Sequence, residues 1–114
     1  MSRHDDNLSM RNMLDHAREA VEMAQGRTLG DLAIDRMLQL ALIRLVEILG
    51  EAATRVSLKV RQQQTAIPWT EIIGLRNKLI HGYDAVDLNI LGDIIQEDLP
   101  PLIEKLEQIL EVEI

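Results

Sequence analysis

Residues 34–56 read IDRMLQLALIRLVEILGEAATRV, and this stretch decides the fold. Apolar side chains recur in it every three or four residues, which is the spacing of a helix face turned toward a core. That stripe consists of Ile34, Met37, Leu38, Ala41, Leu45, Ile48, Leu49, Ala52 and Val56. The other sides of the same helix carry Leu40, Leu42, Ile43 and Val46. A helix that is apolar nearly all round is buried on more than one side, so in this small chain the stretch predicts a partner subunit.

Small residues near the end of this helix predict close packing. Gly50, Ala52 and Ala53 form a patch where another helix can approach. A glycine inside a helix costs roughly 1 kcal/mol relative to alanine, so a packing reason for Gly50 is expected.

The flanking sequence also has helical periodicity. A first helix is expected through the apolar stripe from Met10 to Ala24, capped by a residue in 5–7 and ended by Gly26. Thr28 opens a short connecting turn or helix, and residues 62–66 read as a polar connector.

Two more helices are expected in the second half of the chain. Pro68 suits the first turn of a third helix, whose apolar stripe is Ile72, Ile73, Leu79 and Ile80. Asp87 caps a last helix, which Pro100 and Pro101 must break or kink. The sequence thus predicts one all-α domain over residues 1–114, an antiparallel up-and-down bundle of four to five helices.

Composition excludes several kinds of protein. The 114 residues are 46% hydrophobic but only 2% aromatic, with one Trp, one Tyr and no Phe, so a base-stacking nucleic-acid platform is not expected. The absence of Cys excludes disulfides, thiolate zinc sites and cysteine nucleophiles. No apolar run is long enough to span a membrane, and the start of the chain does not read as a signal peptide. A cytoplasmic location is therefore expected.

The net charge of −7 is unevenly distributed. Residues 54–78 hold five basic side chains and one acidic one, whereas residues 79–114 hold one basic and nine acidic ones. A phosphate-bearing partner would be attracted to the middle of the chain and repelled by its end. The competing interpretation is that the basic run is only a solvated helix face.

Arg76 and His81 belong to the one group of side chains in this sequence that suits anion binding or catalysis. Arg76 falls on the stripe expected to face the interior, four residues after Ile72 and three before Leu79, so a partly buried guanidinium is predicted. It is either a structural arginine tied to a carboxylate or carbonyls, or a group that holds an anion. Asn77 lies four residues before His81, where it can hydrogen-bond the imidazole or a bound phosphate. The clustering does not favour a metal site, since no second His or acidic cluster lies at ligand spacing.

This inventory suits RNA cleavage without a metal ion or another cofactor. A base takes the proton of the ribose 2′-OH, a cation stabilises charge on the phosphate, and an acid protonates the departing 5′-oxygen. Histidine acts as base or acid near neutral pH, and the arginine fork matches phosphate. Because one chain supplies one well-placed His, a two-fold dimer is expected to supply both groups.

The string Arg76-Asn77-Lys78-Leu79-Ile80-His81-Gly82-Tyr83 resembles the R-N-x3-H-x-Y signature of the HepT toxins in the HEPN superfamily. The blocks VEILGEAA at 46–53, IPWTEIIGLRN at 67–77 and DLP at 98–100 are similar to blocks of that family. The resemblance covers about residues 10–110.

The resemblance implies a HEPN bundle, a homodimer with a composite cleft and metal-independent endoribonuclease activity that halts growth. It implies that Arg76 and His81 are catalytic and that Asn77 fills the polar position beside the arginine. Lys78, next to Asn77, is expected to support RNA binding. It further implies that Tyr83 is modified with AMP by a nucleotidyltransferase antitoxin of the MntA type. Transfer RNA and messenger RNA are both open as substrates.

Two other functions remain open from the sequence. One is a non-catalytic HEPN binding module that serves a nucleotidyltransferase by presenting nucleotide, RNA or Tyr83. The other is a structural helical dimer without a ligand, in which Arg76, His81 and Tyr83 can be replaced together without loss of function.

Overall fold

Helix α1 (Arg3–Ala24) forms one side of a helical bundle, and α3 (Arg36–Thr54) packs along it. The computed structural model describes residues 3–79 and 86–111. The other helices are α2 (Leu29–Ile34), α4 (Leu58–Gln63), α5 (Trp69–Ile73), α6 (Leu75–Leu79), α7 (Leu88–Asp93) and α8 (Leu99–Leu110). A π-helical segment (Ile94–Asp98) joins α7 to α8. The prediction of an all-α bundle is confirmed.

The long helices run antiparallel. Asp6 at the start of α1 hydrogen-bonds Ser57, which follows the end of α3, so these two helices point in opposite directions. Helix α8 also packs on α1, where Arg18 forms an ion pair with Glu107 across 2.6 Å. The buried core is aliphatic apart from Trp69, as the composition predicts. Its most enclosed side chains include Met13, Leu14, Leu42, Leu49, Leu91, Ile94, Leu99, Leu102 and Leu106.

Several predicted helix boundaries are confirmed. Gly26 ends the turn after α1 with a φ of 75°, a left-handed conformation that favours glycine. Thr28 caps α2, since its hydroxyl accepts from Asp31 N–H while the Asp31 carboxylate accepts from Thr28 N–H. Asp87 caps α7 by accepting from the N–H groups of Asn89 and Ile90.

Other predicted boundaries are wrong. Helix α1 begins at Arg3, so residues 5–7 lie inside it and do not cap it. The stretch 34–56 is divided at Asp35, whose carboxylate accepts from Leu38 N–H and starts α3 anew. Residues 62 and 63 belong to α4 and not to a connector.

The helices near Pro68, Pro100 and Pro101 do not begin and end where the sequence predicts. The third predicted helix is divided at Gly74 into α5 and α6. The predicted interruption near Pro100 and Pro101 exists, but it is the π-helical segment before them. The prolines lie in the first turn of α8, and they lack the backbone N–H groups that would continue the helical hydrogen bonding from the π-helical segment.

Gly50 has the packing role that its sequence context suggests. A Cβ at this position would lie 3.4 Å from the carbonyl oxygen of Ile72 and 3.6 Å from that of Ile73. Helix α5 therefore rests directly on the backbone of α3. This contact sets the position of α6, which follows α5 after Gly74 alone.

Candidate active site

Helix α6 carries three consecutive polar side chains to the surface. Leu75 and Leu79, at its two ends, are buried in the core. Arg76, Asn77 and Lys78 lie between them and are exposed. The two leucines thus act as anchors that turn the polar residues outward.

Arg76 is not on the buried stripe, contrary to the sequence prediction. The buried positions are Trp69, Ile72, Leu75 and Leu79, so the stripe passes through Leu75, about 100° away from Arg76 around a helix. The Arg76 side chain is 57% exposed. Its Nε donates a hydrogen bond to Oε2 of Glu47 at 2.8 Å. The arginine therefore has a carboxylate partner, as one of the two interpretations expected, but it remains open to solvent.

Glu47 is a member of this site that the sequence analysis did not identify. It lies in the middle of α3, 29 residues before Arg76, and its side chain is 22% exposed. The available signal was one carboxylate within the otherwise apolar run from Leu45 to Leu49. Such a charge in an apolar run indicates a specific partner, but it does not identify which arginine supplies it.

Lys78 faces a different part of the molecule from Arg76. The two positions differ by about 200° around a helix. Lys78 lines a cleft of about 290 Å³ together with Lys105 and the acidic side chains of Glu71, Glu97 and Asp98. Within the described part of the chain, Lys78 and Arg76 are therefore not brought into one pocket.

The remainder of the motif lies outside the described residues. This applies to His81 and Tyr83 and to the expected hydrogen bond between Asn77 and His81. The structure therefore describes the first four residues of the motif, Arg76 to Leu79. Within residues 3–79 and 86–111, no group of three His, Asp or Glu side chains is placed to hold a metal ion.

Part of the basic segment 54–78 stabilises the fold and is not available for a ligand. Arg61 donates from Nε to the carbonyl of Val56 and from Nη2 to that of Thr54, which closes the end of α3. Arg55 and Lys59 are exposed. The segment is therefore neither a uniform phosphate-binding patch nor a wholly solvated face.

Exposed apolar side chains lie at the end of α2 and in the first turns of α3. Ile34, Met37 and Leu40 are 86%, 83% and 50% exposed. By contrast, Leu42 and Val46, which the sequence analysis counted toward a subunit contact, are buried within the chain. Steps of three and four residues put Met37, Leu40, Arg44 and Glu47 on one face of α3, so the exposed apolar end is continuous with the partner of Arg76. None of the helices in the described ranges is long and apolar enough to cross a membrane.

Known proteins resemble this chain along nearly its whole length. The family described as "Ribonuclease HepT-like" matches residues 13–109. A Methanocaldococcus jannaschii protein named "Putative RNase MJ1380" is 32% identical over 107 residues, covering 94% of this chain and 98% of that protein. A Thermococcus cleftensis protein named "Probable ribonuclease HepT" is 34% identical over 105 residues, covering 89% of this chain and 96% of that protein. No solved structure matches the chain.

Proposed function

Since this chain belongs to the HepT-like ribonuclease family of the HEPN superfamily, we propose that it is an endoribonuclease toxin that cleaves cellular RNA without a metal ion. The observation that carries the proposal is the exposure and the hydrogen bonding of Arg76, the arginine of the sequence motif. Its guanidinium is exposed and is held at Nε by Glu47. A guanidinium presented in this way can form a two-point contact with a phosphate. The substrate is a transfer RNA or a messenger RNA.

The proposed reaction is an internal transesterification. The ribose 2′-oxygen attacks the adjacent phosphorus while the bond from phosphorus to the 5′-oxygen breaks. One imidazole removes the 2′ proton and another imidazolium supplies a proton to the leaving 5′-oxygen, so charge and protons balance. His81 is assigned to these transfers, and Arg76 stabilises the charge that develops on the phosphate oxygens. The products are a 2′,3′-cyclic phosphate and a 5′-hydroxyl.

The proposed cleft is shared by two copies of the chain. Each chain contributes one Arg76 and one His81, whereas the reaction needs both a base and an acid. The exposed apolar group Ile34, Met37 and Leu40 supports a second copy as the occupant of this face. Burial of these side chains favours association, and their helix face leads directly to Glu47 and Arg76.

We assign Tyr83 to regulation. In this proposal an MntA-like nucleotidyltransferase antitoxin transfers AMP to the Tyr83 hydroxyl. The added phosphate carries negative charge close to Arg76 in sequence and repels RNA from the cleft. Asn77 is assigned to orienting His81 or the phosphate. Lys78, whose side chain lines a separate cleft, is assigned to a contact with RNA away from the reacting phosphate.

Substitution of Arg76 or His81 tests the nuclease assignment. Arg76→Ala and His81→Ala are each expected to lower the cleavage rate of an RNA oligonucleotide by at least about 100-fold in EDTA, because each removes a group that acts in the transition state. Helix content by circular dichroism is expected to stay at the wild-type level, since Arg76 is exposed. Wild-type cleavage by the double variant would refute the assignment, and loss of wild-type activity in EDTA would refute metal independence.

Coexpression with an MntA-type nucleotidyltransferase tests the regulatory assignment. The mass of the peptide that contains Tyr83 is expected to rise by one or more AMP units, and RNA cleavage is expected to fall. Tyr83→Phe, which cannot accept AMP, should remain active in the presence of the transferase. An unmodified Tyr83 peptide in a neutralised toxin would contradict the proposal.

A non-catalytic binding module is the second candidate. The ion pair between Arg76 and Glu47 favours it, because a carboxylate on the guanidinium offsets part of the positive charge that would stabilise a transition state. This alternative predicts a wild-type protein that binds the nucleotidyltransferase but cleaves no RNA.

A further inference from the structure

Arg76 is held along one edge of its guanidinium. Its Nε donates to Glu47 Oε2 at 2.8 Å, and no other hydrogen bond joins Arg76 to the described residues. A guanidinium has five N–H donors in a fixed plane, of which Nε carries one and the two terminal nitrogens carry four. A carboxylate on Nε therefore leaves the terminal edge for a second, two-point acceptor.

The partner of Arg76 is better fixed than Arg76 itself. Glu47 projects from the middle of the 19-residue α3, and its neighbours Val46 and Leu49 are each 1% exposed. Arg76 has a long side chain and projects from a five-residue helix. A long exposed side chain samples many rotamers unless a contact selects one. Glu47 supplies such a contact from a long helix whose neighbouring side chains are buried in the core.

Stabilisation of the fold is a weak reason for this contact. The Arg76 side chain is 57% exposed, and ion pairs at such exposure contribute little to folding. The contact has a larger effect on where the guanidinium points than on whether the chain folds.

We infer that Glu47 is a positioning residue that aligns Arg76, so that the terminal edge of its guanidinium faces the RNA phosphate. This inference rests on the proposed nuclease function. A displaced guanidinium still attracts RNA but stabilises the transition state less, because stabilisation of that state depends on geometry.

The test compares Glu47→Gln, Glu47→Ala and Glu47→Asp in RNA cleavage. Glu47→Ala is expected to lower kcat by about 10- to 100-fold with KM changed less than kcat. Glu47→Gln should stay within about threefold of wild type, because its amide oxygen still accepts from Nε. Glu47→Asp, whose carboxylate is one methylene shorter, should resemble Glu47→Ala. If Glu47→Ala does not fold, the comparison of Gln with Asp decides.

Glu51→Gln is the matched control. Glu51 lies one turn further along α3 and pairs with Arg44 at 3.9 Å. Its substitution removes the same charge but leaves Arg76 aligned, so wild-type kinetics are expected. In an Arg76→Ala background, Glu47→Ala should have no additional effect, because the two residues act as a unit.

A second readout does not depend on activity. The ¹H–¹⁵N signal of Arg76 Nε is expected to be resolved and slow to exchange in the wild type and in Glu47→Gln, but not in Glu47→Ala. If wild-type protein cleaves no RNA while this pattern appears, the nuclease proposal fails and the alignment of Arg76 by Glu47 stands. Unchanged signals, or Glu47→Ala as active as or more active than wild type, would overturn the inference.

Discussion

Asp6 is the least exposed charged side chain in the described part of the molecule, at 2%. Its carboxylate accepts from the backbone N–H and from the hydroxyl of Ser57, both at 2.8 Å. The hydrogen bond from the Ser57 backbone is the main cause that lowers the pKa of Asp6 below its ordinary value of 3.8, although burial acts in the opposite direction. This pair fastens the start of α1 to the end of α3.

Asp6→Asn should therefore destabilise the protein in a manner that depends on pH. The folded pKa of Asp6 is lower than the unfolded one, so its contribution to stability is present above the ordinary pKa and is lost as pH falls through the lowered value. The urea midpoint of the variant should lie below that of the wild type at neutral pH, and the gap should begin to narrow as pH falls below about 4. Lowered pKa values at Asp31 and Asp35 cancel in this difference, because both proteins retain them.

Ser57→Ala is the control for this prediction. It removes the hydroxyl, which donates to Asp6 and also caps α4 by accepting from Val60 N–H, but it keeps the backbone N–H that donates to Asp6. The variant is therefore expected to lose stability at every pH through the lost cap, while most of the pH-dependent contribution of Asp6 remains. A gap between wild type and Asp6→Asn that does not vary with pH would contradict the assignment of the stabilisation to the charged carboxylate.

At the scale of the helices, the contact between α3 and α5 controls the position of the site. The carbonyl oxygen of Ile72 lies 3.4 Å from where a Gly50 Cβ would be, so one methyl group fits there and a larger side chain does not. Helix α6 with Arg76 continues from α5, and a shift of α5 moves the guanidinium relative to Glu47.

Two substitutions at Gly50 should thus have opposite effects. Gly50→Ala is expected to change the free energy of unfolding by between zero and about 1 kcal/mol in the stabilising direction, from improved helix propensity. Gly50→Leu is expected to destabilise by about 1–3 kcal/mol through overpacking and to lower RNA cleavage as well. Chemical denaturation and the cleavage assay measure the two effects, and equal stability of both variants would contradict the close contact.

The ends of the helices were predictable where contacts within a few residues determine them. Thr28, Gly26 and Asp87 act through hydrogen bonds or dihedral angles within a few residues, and each behaves as its position in the sequence predicts. Asp35 and Gly74 divide helices whose apolar periodicity continues across them. Periodicity reports which side is buried but not whether the backbone continues, so these breaks were missed.

The site was predictable only in part for a related reason. The motif identified Arg76, and its exposure followed from the true stripe through Leu75, one residue away from the expected one. The partner Glu47 is 29 residues distant on another helix. Its pairing depends on the packing of α3 against α6, which no single window of sequence contains.

At the scale of the whole molecule, the exposed apolar face of α3 should determine oligomeric state. Met37→Glu combined with Leu40→Glu is expected to produce a monomer in sedimentation velocity, because four acidic side chains would meet across a two-fold interface. Helix content should be retained, since Met37 and Leu40 are 83% and 50% exposed. RNA cleavage should fall by at least about 100-fold, since the site would lose its second half.

Leu58→Glu is the matched control for the interface. Leu58 is 68% exposed but lies on α4, outside the group formed by Ile34, Met37 and Leu40. This variant is expected to remain a dimer with wild-type cleavage. A monomeric double variant that cleaves at the wild-type rate would contradict the shared cleft.

The extents of the molecule, 42 × 32 × 19 Å, have a consequence for the depth of any cleft. A helix with its side chains is about 10 Å across, so the short dimension accommodates only two helices. Within residues 3–79 and 86–111, two layers of helices leave no third layer that could cover a strand of nucleic acid bound at Arg76. In the proposed dimer a second copy covers the Arg76 site and excludes bulk water from it, so activity should depend on protein concentration.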